Sequence, residues 1–297
     1  MKICLISKCV VVFLHNRPFF GAYIVHIPFL AAIKEKYPNA VLVGVSKTLG
    51  AEFLLEAGFL DVLEVIENDD VSILRKKYDF DVGFNLRPSS IRTAFQMLKL
   101  RIPNRIGFRK FGALYTYSKK MNKSLYRSDL FLSLLDIPSS LDAEPYVREK
   151  IPYDKEMMGK IIVAPGAGGA EKKWPLLYYV ELARRISLSG IGEILFLTGP
   201  QEVEEKDKLE SLGFCVFHNP SVKVLFGLIG GCRLFISNDC GPSHIAHIYG
   251  VKQVVVFKKY LPEWFLERDN SLYLASEESI SSITPADVWI AILKILN

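Results

Sequence analysis

Ile161-Ile162-Val163-Ala164-Pro165-Gly166-Ala167-Gly168-Gly169-Ala170-Glu171-Lys172-Lys173-Trp174-Pro175 passes from a short apolar run, through a glycine-rich turn, to two lysines and a proline. A continuous apolar run of this length reads as a strand covered on both faces. Leu176–Ser187 beyond it has helical spacing, and Pro175 suits the helix start. Glycines let a backbone approach a ligand closely, and a helix start offers unpaired N–H groups and positive dipole charge to a phosphate. Gly166, Ala167 and Gly168 are therefore candidate ligand-binding residues, with Lys172 or Lys173 as an added point charge. The turn lacks the GK[ST] order of a Walker A loop and the Gly-x-Gly-x-x-Gly of a dinucleotide fingerprint.

Outward from this turn the same alternation fills the chain. Downstream, Ile194–Thr198, Phe214–Phe217, Leu234–Ser237, Val254–Phe257 and Leu272–Leu274 read as strands. Glu202–Leu212, Val222–Ile229, Pro242–Tyr249 and Pro285–Leu296 have helical spacing. Upstream, Ile3–Ile6, Val41–Val45, Val62–Ile66, Val82–Leu86 and Arg105–Phe108 are the predicted strands. The predicted helices there are Ile24–Tyr37, Leu49–Ala57, Val71–Lys77, Ser90–Leu100 and Asp129–Leu135. Pro138, Pro145 and Pro152 punctuate a linker between about residues 137 and 153. The expected class is α/β: two Rossmann-like parallel-sheet domains, 1–150 and 151–297, facing across a cleft.

A second strand-to-helix turn is Ser237-Asn238-Asp239-Cys240-Gly241-Pro242-Ser243-His244. Asp239 is suited either to capping the turn or to orienting ligand hydroxyls. His244 sits in a first helical turn, where the dipole disfavours its charged form, and His247 reads as a core residue. Thr198 and Gly199, at the end of another strand, join the candidate set. Asp79-Phe80-Asp81 is an Asp-x-Asp, but it precedes its strand, whereas ligands gather at the carboxyl ends of strands. No metal site is expected.

Half of the 297 residues are hydrophobic and 23% are charged, which excludes a disordered chain. Five cysteines without a CxxC pair argue against a disulfide scaffold and for a reducing cytoplasm. The longest uncharged stretch, Pro18–Ile33, falls short of a spanning helix. Residues 1–150 hold 22 Lys/Arg against 15 Asp/Glu, and residues 82–128 contain no acid at all. That run predicts an anionic partner, with Arg87, Arg105, Arg109, Lys110, Lys119 and Lys120 as its contacts.

Lys172-Lys173-Trp174-Pro175 with Tyr178-Tyr179-Val180-Glu181-Leu182-Ala183 resembles the "KxWP…W/Y…EL" element of glycosyltransferase family 9, the ADP-heptose:lipopolysaccharide heptosyltransferases and their relatives. Asn238–Ala246 is similar to that family's "ND[ST]G…H[ILV]A" segment. Gly21 followed by Pro28, Tyr78–Asp81 and Arg105–Phe108 are similar to its weaker N-terminal elements. The resemblance implies a GT-B fold and an inverting, metal-independent transfer from a nucleotide-diphospho-sugar to an anionic lipopolysaccharide or surface glycan. The nucleotide-sugar is a co-substrate; no cofactor and no nucleic acid is expected. It implies a cytoplasmic protein, peripheral at the inner membrane face. Lys172 would meet the donor phosphate. Gly166, Ala167, Gly168, Thr198, Gly199, Asp239, Cys240, Gly241, Pro242, Ser243 and His244 would line the donor site. The basic N-terminal residues would hold the acceptor.

The chain departs from the pattern at Ala22, where the family places its presumed base aspartate, and in a longer loop from Ser7 to Gly21. The base is then displaced, supplied by another group or absent; His15, in that loop and titrating near neutrality when unperturbed, is the best nearby candidate. A member that binds nucleotide or glycan without transfer is the alternative. Lys258-Lys259-Tyr260-Leu261-Pro262 replaces the family's "GPTDP"-like turn.

Overall fold

The computed structural model describes residues 8–15, 17, 19–68, 70–88, 90–137 and 143–297, without the side chains of 110–112. The chain divides into two units, Met1–Ala143 and Glu144–Asn297.

In the first unit the strands are β1 (Cys9–Phe13), β2 (Val41–Ser46), β3 (Val62–Val65), β4 (Val82–Asn85), β5 (Asn104–Phe108) and β6 (Tyr117–Lys119). They form one parallel sheet in the order β3-β2-β1-β4-β5-β6. The helices are α1 (Gly21–Ile24), α2 (Ile27–Lys36), α3 (Glu52–Glu56), α4 (Leu74–Lys77), α5 (Ile91–Lys99) and α6 (Arg127–Leu132). Val10 to Leu14 are wholly buried, as a central strand of such a sheet requires. The side chains of Val11, Phe13, Val43 and Val45 pack with Ala94 and Met97 of α5.

Two expectations change here. The central strand is Cys9–Phe13, inside the stretch Ser7 to Gly21 that is expected to be a loop; the expected strand Ile3–Ile6 lies outside the described residues. The loop after the strand is correspondingly short. The single helix expected over 24–37 is two, because Pro28 stands in the first turn of α2 and cannot donate to the preceding turn.

In the second unit the strands are β7 (Ile161–Ala164), β8 (Ile194–Thr198), β9 (Val216–His218), β10 (Leu234–Asn238), β11 (Lys252–Phe257) and β12 (Ser271–Ala275). They form a second parallel sheet, β12-β11-β10-β7-β8-β9. The helices are α7 (Glu144–Lys150), α8 (Leu176–Ser189), α9 (Val203–Ser211), α10 (Val222–Gly231), α11 (Gly241–Ile248) and α12 (Pro285–Leu296). Helix α7 occupies the stretch read as linker. Counted from its own first strand, each sheet runs 3-2-1-4-5-6. The chain direction across the sheet therefore reverses between strands one and four: between β1 and β4 in one unit, and β7 and β10 in the other. Ligands of open α/β sheets bind outside the carboxyl ends of the strands at that reversal.

Candidate active site

The two turns singled out in the second half leave β7 and β10, the strands that flank the reversal. The structure brings them together. Asn238, buried at the end of β10, accepts the Trp174 backbone N–H at 2.9 Å and donates to the Pro165 carbonyl at 2.6 Å. Trp174 is itself buried and donates its indole N–H to the Ile283 carbonyl at 2.7 Å. These bonds fix the glycine turn over the sheet, and Lys172 Nζ comes to 2.7 Å from Asp239 Oδ2. Asp239 accordingly faces a lysine and does not cap α11, whose preceding residue Cys240 makes no side-chain cap.

Glu202 is buried beneath the same turns. It accepts the Gly199 N–H at 3.0 Å and lies 3.3 Å from Lys173 Nζ. A Cβ on Gly166 or Gly199 would approach its carboxyl group to 3.0 or 2.8 Å, so glycine at both positions leaves room for it. Lys173 also reaches Glu205, and its ammonium is held above the ordinary lysine range: burial opposes the charge, but the two glutamates outweigh it. Lys173 is thereby a structural cation, and Lys172 is the one at the cavity. Thr198 is buried and its hydroxyl bonds to the His218 ring at 3.0 Å.

Burial lowers His244 to about 4, so it is neutral as expected, and raises the Cys240 thiol to about 12, so it is not a nucleophilic thiolate. His247 is lowered to about 3 by burial, with Arg268 adding to the effect. Ser243 turns its hydroxyl back to the Cys240 carbonyl at 2.8 Å. An open cavity of about 390 Å³ is lined by Glu171, Lys172, Asp239, Lys258, Lys259, Leu261 and Glu277.

In the first unit the loops at the reversal follow β1 and β4 and carry His15 and Arg87. The backbone N–H of His15 donates to His26 Nε2 at 3.2 Å; the other ring nitrogen of His26 faces the Tyr23 carbonyl at 3.3 Å. His26 is buried and stacked on Phe131, which fixes the turn after β1. Ala22 is buried in α1.

Residues 73–266 match the model of glycosyltransferase family 9 (heptosyltransferase). The chain belongs to glycosyltransferase family 9. It is 25% identical over 272 residues to lipooligosaccharide heptosyltransferase 2 of Campylobacter jejuni serotype O:6, covering 83% of this chain and 81% of that protein. Its fold is similar to a family 9 glycosyl transferase from Veillonella parvula, with TM-score 0.75, 17% identity and 99% of each chain covered. It is also similar to the E. coli heptosyltransferase WaaC with ADP-2-deoxy-2-fluoro heptose, with TM-score 0.76, 15% identity and 97% and 99% covered. The fold is thus GT-B type, and the chain is a glycosyltransferase.

Within this family 9 member, several expected acceptor contacts have other work. Arg87 is buried, not on a surface: its guanidinium donates to the Leu14 and Val45 carbonyls and lies over the Phe13 ring. It ties the ends of β1 and β2 together. Arg105 is bound to the Leu114 and Ile102 carbonyls at 3.0 and 2.7 Å. The neighbouring Gly107 makes room for the Tyr115 ring, which a Cβ there would meet at 2.4 Å. Lys119 pairs with Asp136. Arg109 and Lys120 are exposed, and the Lys110 side chain lies outside the described residues.

His15 is corrected in its chemistry. It is half-buried, and desolvation, with Arg17, Arg127 and Arg87 nearby, lowers it to about 4, well below neutrality. Asp81 accepts the Cys9 N–H at 2.9 Å and so serves the start of β1.

Asn238, Glu202, Lys258 and Lys259 were missed as site residues. Asn238 ends an apolar strand before the Asp239 turn, and the lysine pair directly follows another apolar strand. Their position at strand carboxyl ends was the signal available. Nothing in the sequence around Glu202 marks its burial.

Proposed function

We propose that this glycosyltransferase moves a heptose or related sugar from a nucleotide-diphospho-sugar to an anionic lipopolysaccharide or surface glycan, by inverting, metal-independent displacement. The observation that carries the reading is the meeting of Lys172 and Asp239 at the strand reversal, beside a cavity with two further lysines. A donor diphosphate entering there would take Lys172 from Asp239. Asp239 would then be left to accept hydrogen bonds from sugar hydroxyls, since a carboxylate is repelled by phosphate. Lys172, Lys258 and the start of α11 would stabilise the charge that builds on the leaving diphosphate as the anomeric C–O bond breaks. The acceptor hydroxyl attacks the anomeric carbon from the opposite side and gives up its proton.

His15 is the proposed acceptor of that proton, at the strand reversal of the first unit. Its low pKa keeps the imidazole neutral, and so able to take a proton, but makes it a weak base. Exposed Arg109 and Lys120 would meet the anionic acceptor, and a lipid-linked acceptor would bring the protein to the inner membrane face as a peripheral, cytoplasmic enzyme. The second reading, binding without transfer, is favoured by Ala22, which cannot accept a proton.

Calorimetry with ADP-, UDP-, GDP- and CMP-sugars tests the donor, and anomeric analysis of the product in the presence and absence of EDTA tests the stereochemistry and metal independence. Binding of no member of the panel would overturn the donor reading. Binding without transfer to any anionic glycan would establish the second one.

A further inference from the structure

We infer that the outward face of α5 docks on an anionic lipid bilayer. Helix α5 buries Thr93, Ala94, Gln96 and Met97 against its own sheet. On the opposite face Ile91, Phe95 and Leu98 are exposed by 44, 54 and 37%. They stand at i, i+4 and i+7, so they form one stripe on the helix surface. A water-facing helix side normally carries polar residues; an exposed apolar stripe this continuous marks a contact surface.

The charge around the stripe selects the partner. Arg92 and Lys99, seven residues apart, lie along one flank, and Arg101 follows the helix; all three are exposed. The turn Arg109–Leu114, which packs against α5, carries exposed Arg109. No acid occurs from residue 82 to 128. Lys99 pairs with Asp70 at 3.2 Å in a solvated ion pair of small worth. Apolar side chains framed by arginines complement a bilayer surface, where the rings and aliphatic groups enter the headgroup region and the cations meet lipid phosphates. The helix is already folded within the unit, so docking does not pay for its ordering.

This deepens the reading of a lipid-linked acceptor, yet it is testable without any transfer assay. The full chain should co-sediment with vesicles of phosphatidylcholine mixed with phosphatidylglycerol, and weakly with phosphatidylcholine alone. Phe95→Ser with Leu98→Ser should lower vesicle partitioning by about tenfold or more, the scale of removing large apolar groups from a buried site. Arg92→Glu with Arg101→Glu should abolish the preference for the anionic lipid. Phe95→Trp should show a blue-shifted emission on anionic vesicles, a readout that holds should the serine pair fail to fold. Equal partitioning of wild type and variants, no lipid preference, or a Trp emission unmoved by vesicles would overturn the inference. So would a serine pair that dissolves a dimer of this chain while vesicle binding persists. Donor affinity of the same variants, measured by calorimetry, should be unchanged; its absence in every protein would sink the donor reading and leave the vesicle result standing.

Discussion

Lys172 and Asp239, 67 positions apart, form an ion pair at 2.7 Å that joins the two loops flanking the strand reversal of the second unit. Both are partly exposed, so the pair contributes little to stability. Its consequence is for binding. Lys172→Ala should weaken nucleoside-diphosphate binding by about tenfold to a hundredfold, the usual range for a lost charge-assisted hydrogen bond. Lys120→Ala should leave it unchanged. Calorimetry giving equal affinities for wild type and Lys172→Ala would refute the donor-phosphate role.

Asn238 is the joint between the same loops. Asn238→Ala leaves the Trp174 N–H and the Pro165 carbonyl without their partner, at a cost of about 1–3 kcal/mol for each buried group. Urea denaturation should show a loss of about 2–6 kcal/mol in the second unit, with donor binding reduced alongside it. A stable variant that binds normally would show that the turn holds itself.

Burial lowers His26 to about 3 and His244 to about 4, from an ordinary 6.5. The unfolded chain therefore takes protons first as pH falls. Their stabilising effect is complete above pH 6.5 and is lost progressively down to the folded values. Each contributes a slope of up to about 1.4 kcal/mol per pH unit within that window. Urea midpoints at pH 7, 6 and 5 should fall in step; a flat profile would mean that these rings are hydrated.

For catalysis, His15→Ala should lower turnover by about a hundredfold, the low end for a general base, with donor affinity kept. Because His15 titrates near 4, turnover of the wild type should show no limb at pH 6.5. Unchanged turnover in His15→Ala together with a gain in Ala22→Asp would assign the base position to residue 22 and leave the native chain impaired.

Arg87 and Arg109 should separate cleanly. Arg87→Met removes the donors to the Leu14 and Val45 carbonyls and should destabilise the first unit by about 1–3 kcal/mol per carbonyl left unmatched. Arg109→Glu with Lys120→Glu should leave the melting temperature alone and make acceptor binding weaker and less salt-dependent. Identical effects from the two substitutions would contradict the burial difference.

Strand and helix alternation was legible from the chain because buried parallel strands are short apolar runs and the helices between them are periodic. The motif around Lys172 and that around Asp239 were legible for the same local reason: glycine and proline mark strand-to-helix turns. The sheet order was not. Cys9–Phe13 is short and apolar, and composition does not say that it takes the central place in a sheet. Hydrogen bonds to Val41–Val45 and Val82–Asn85 make Cys9–Phe13 the central strand. Eleven basic residues in an acid-free run looked like one surface. Three of them are instead taken up by backbone carbonyls or by Asp136, partners distant in sequence. His15 looked like an ordinary imidazole because its pKa depends on desolvation, which is a property of the packed fold. Local chemistry therefore set which residue types stood at the turns; long-range packing alone decided which of their charges remain available to a ligand.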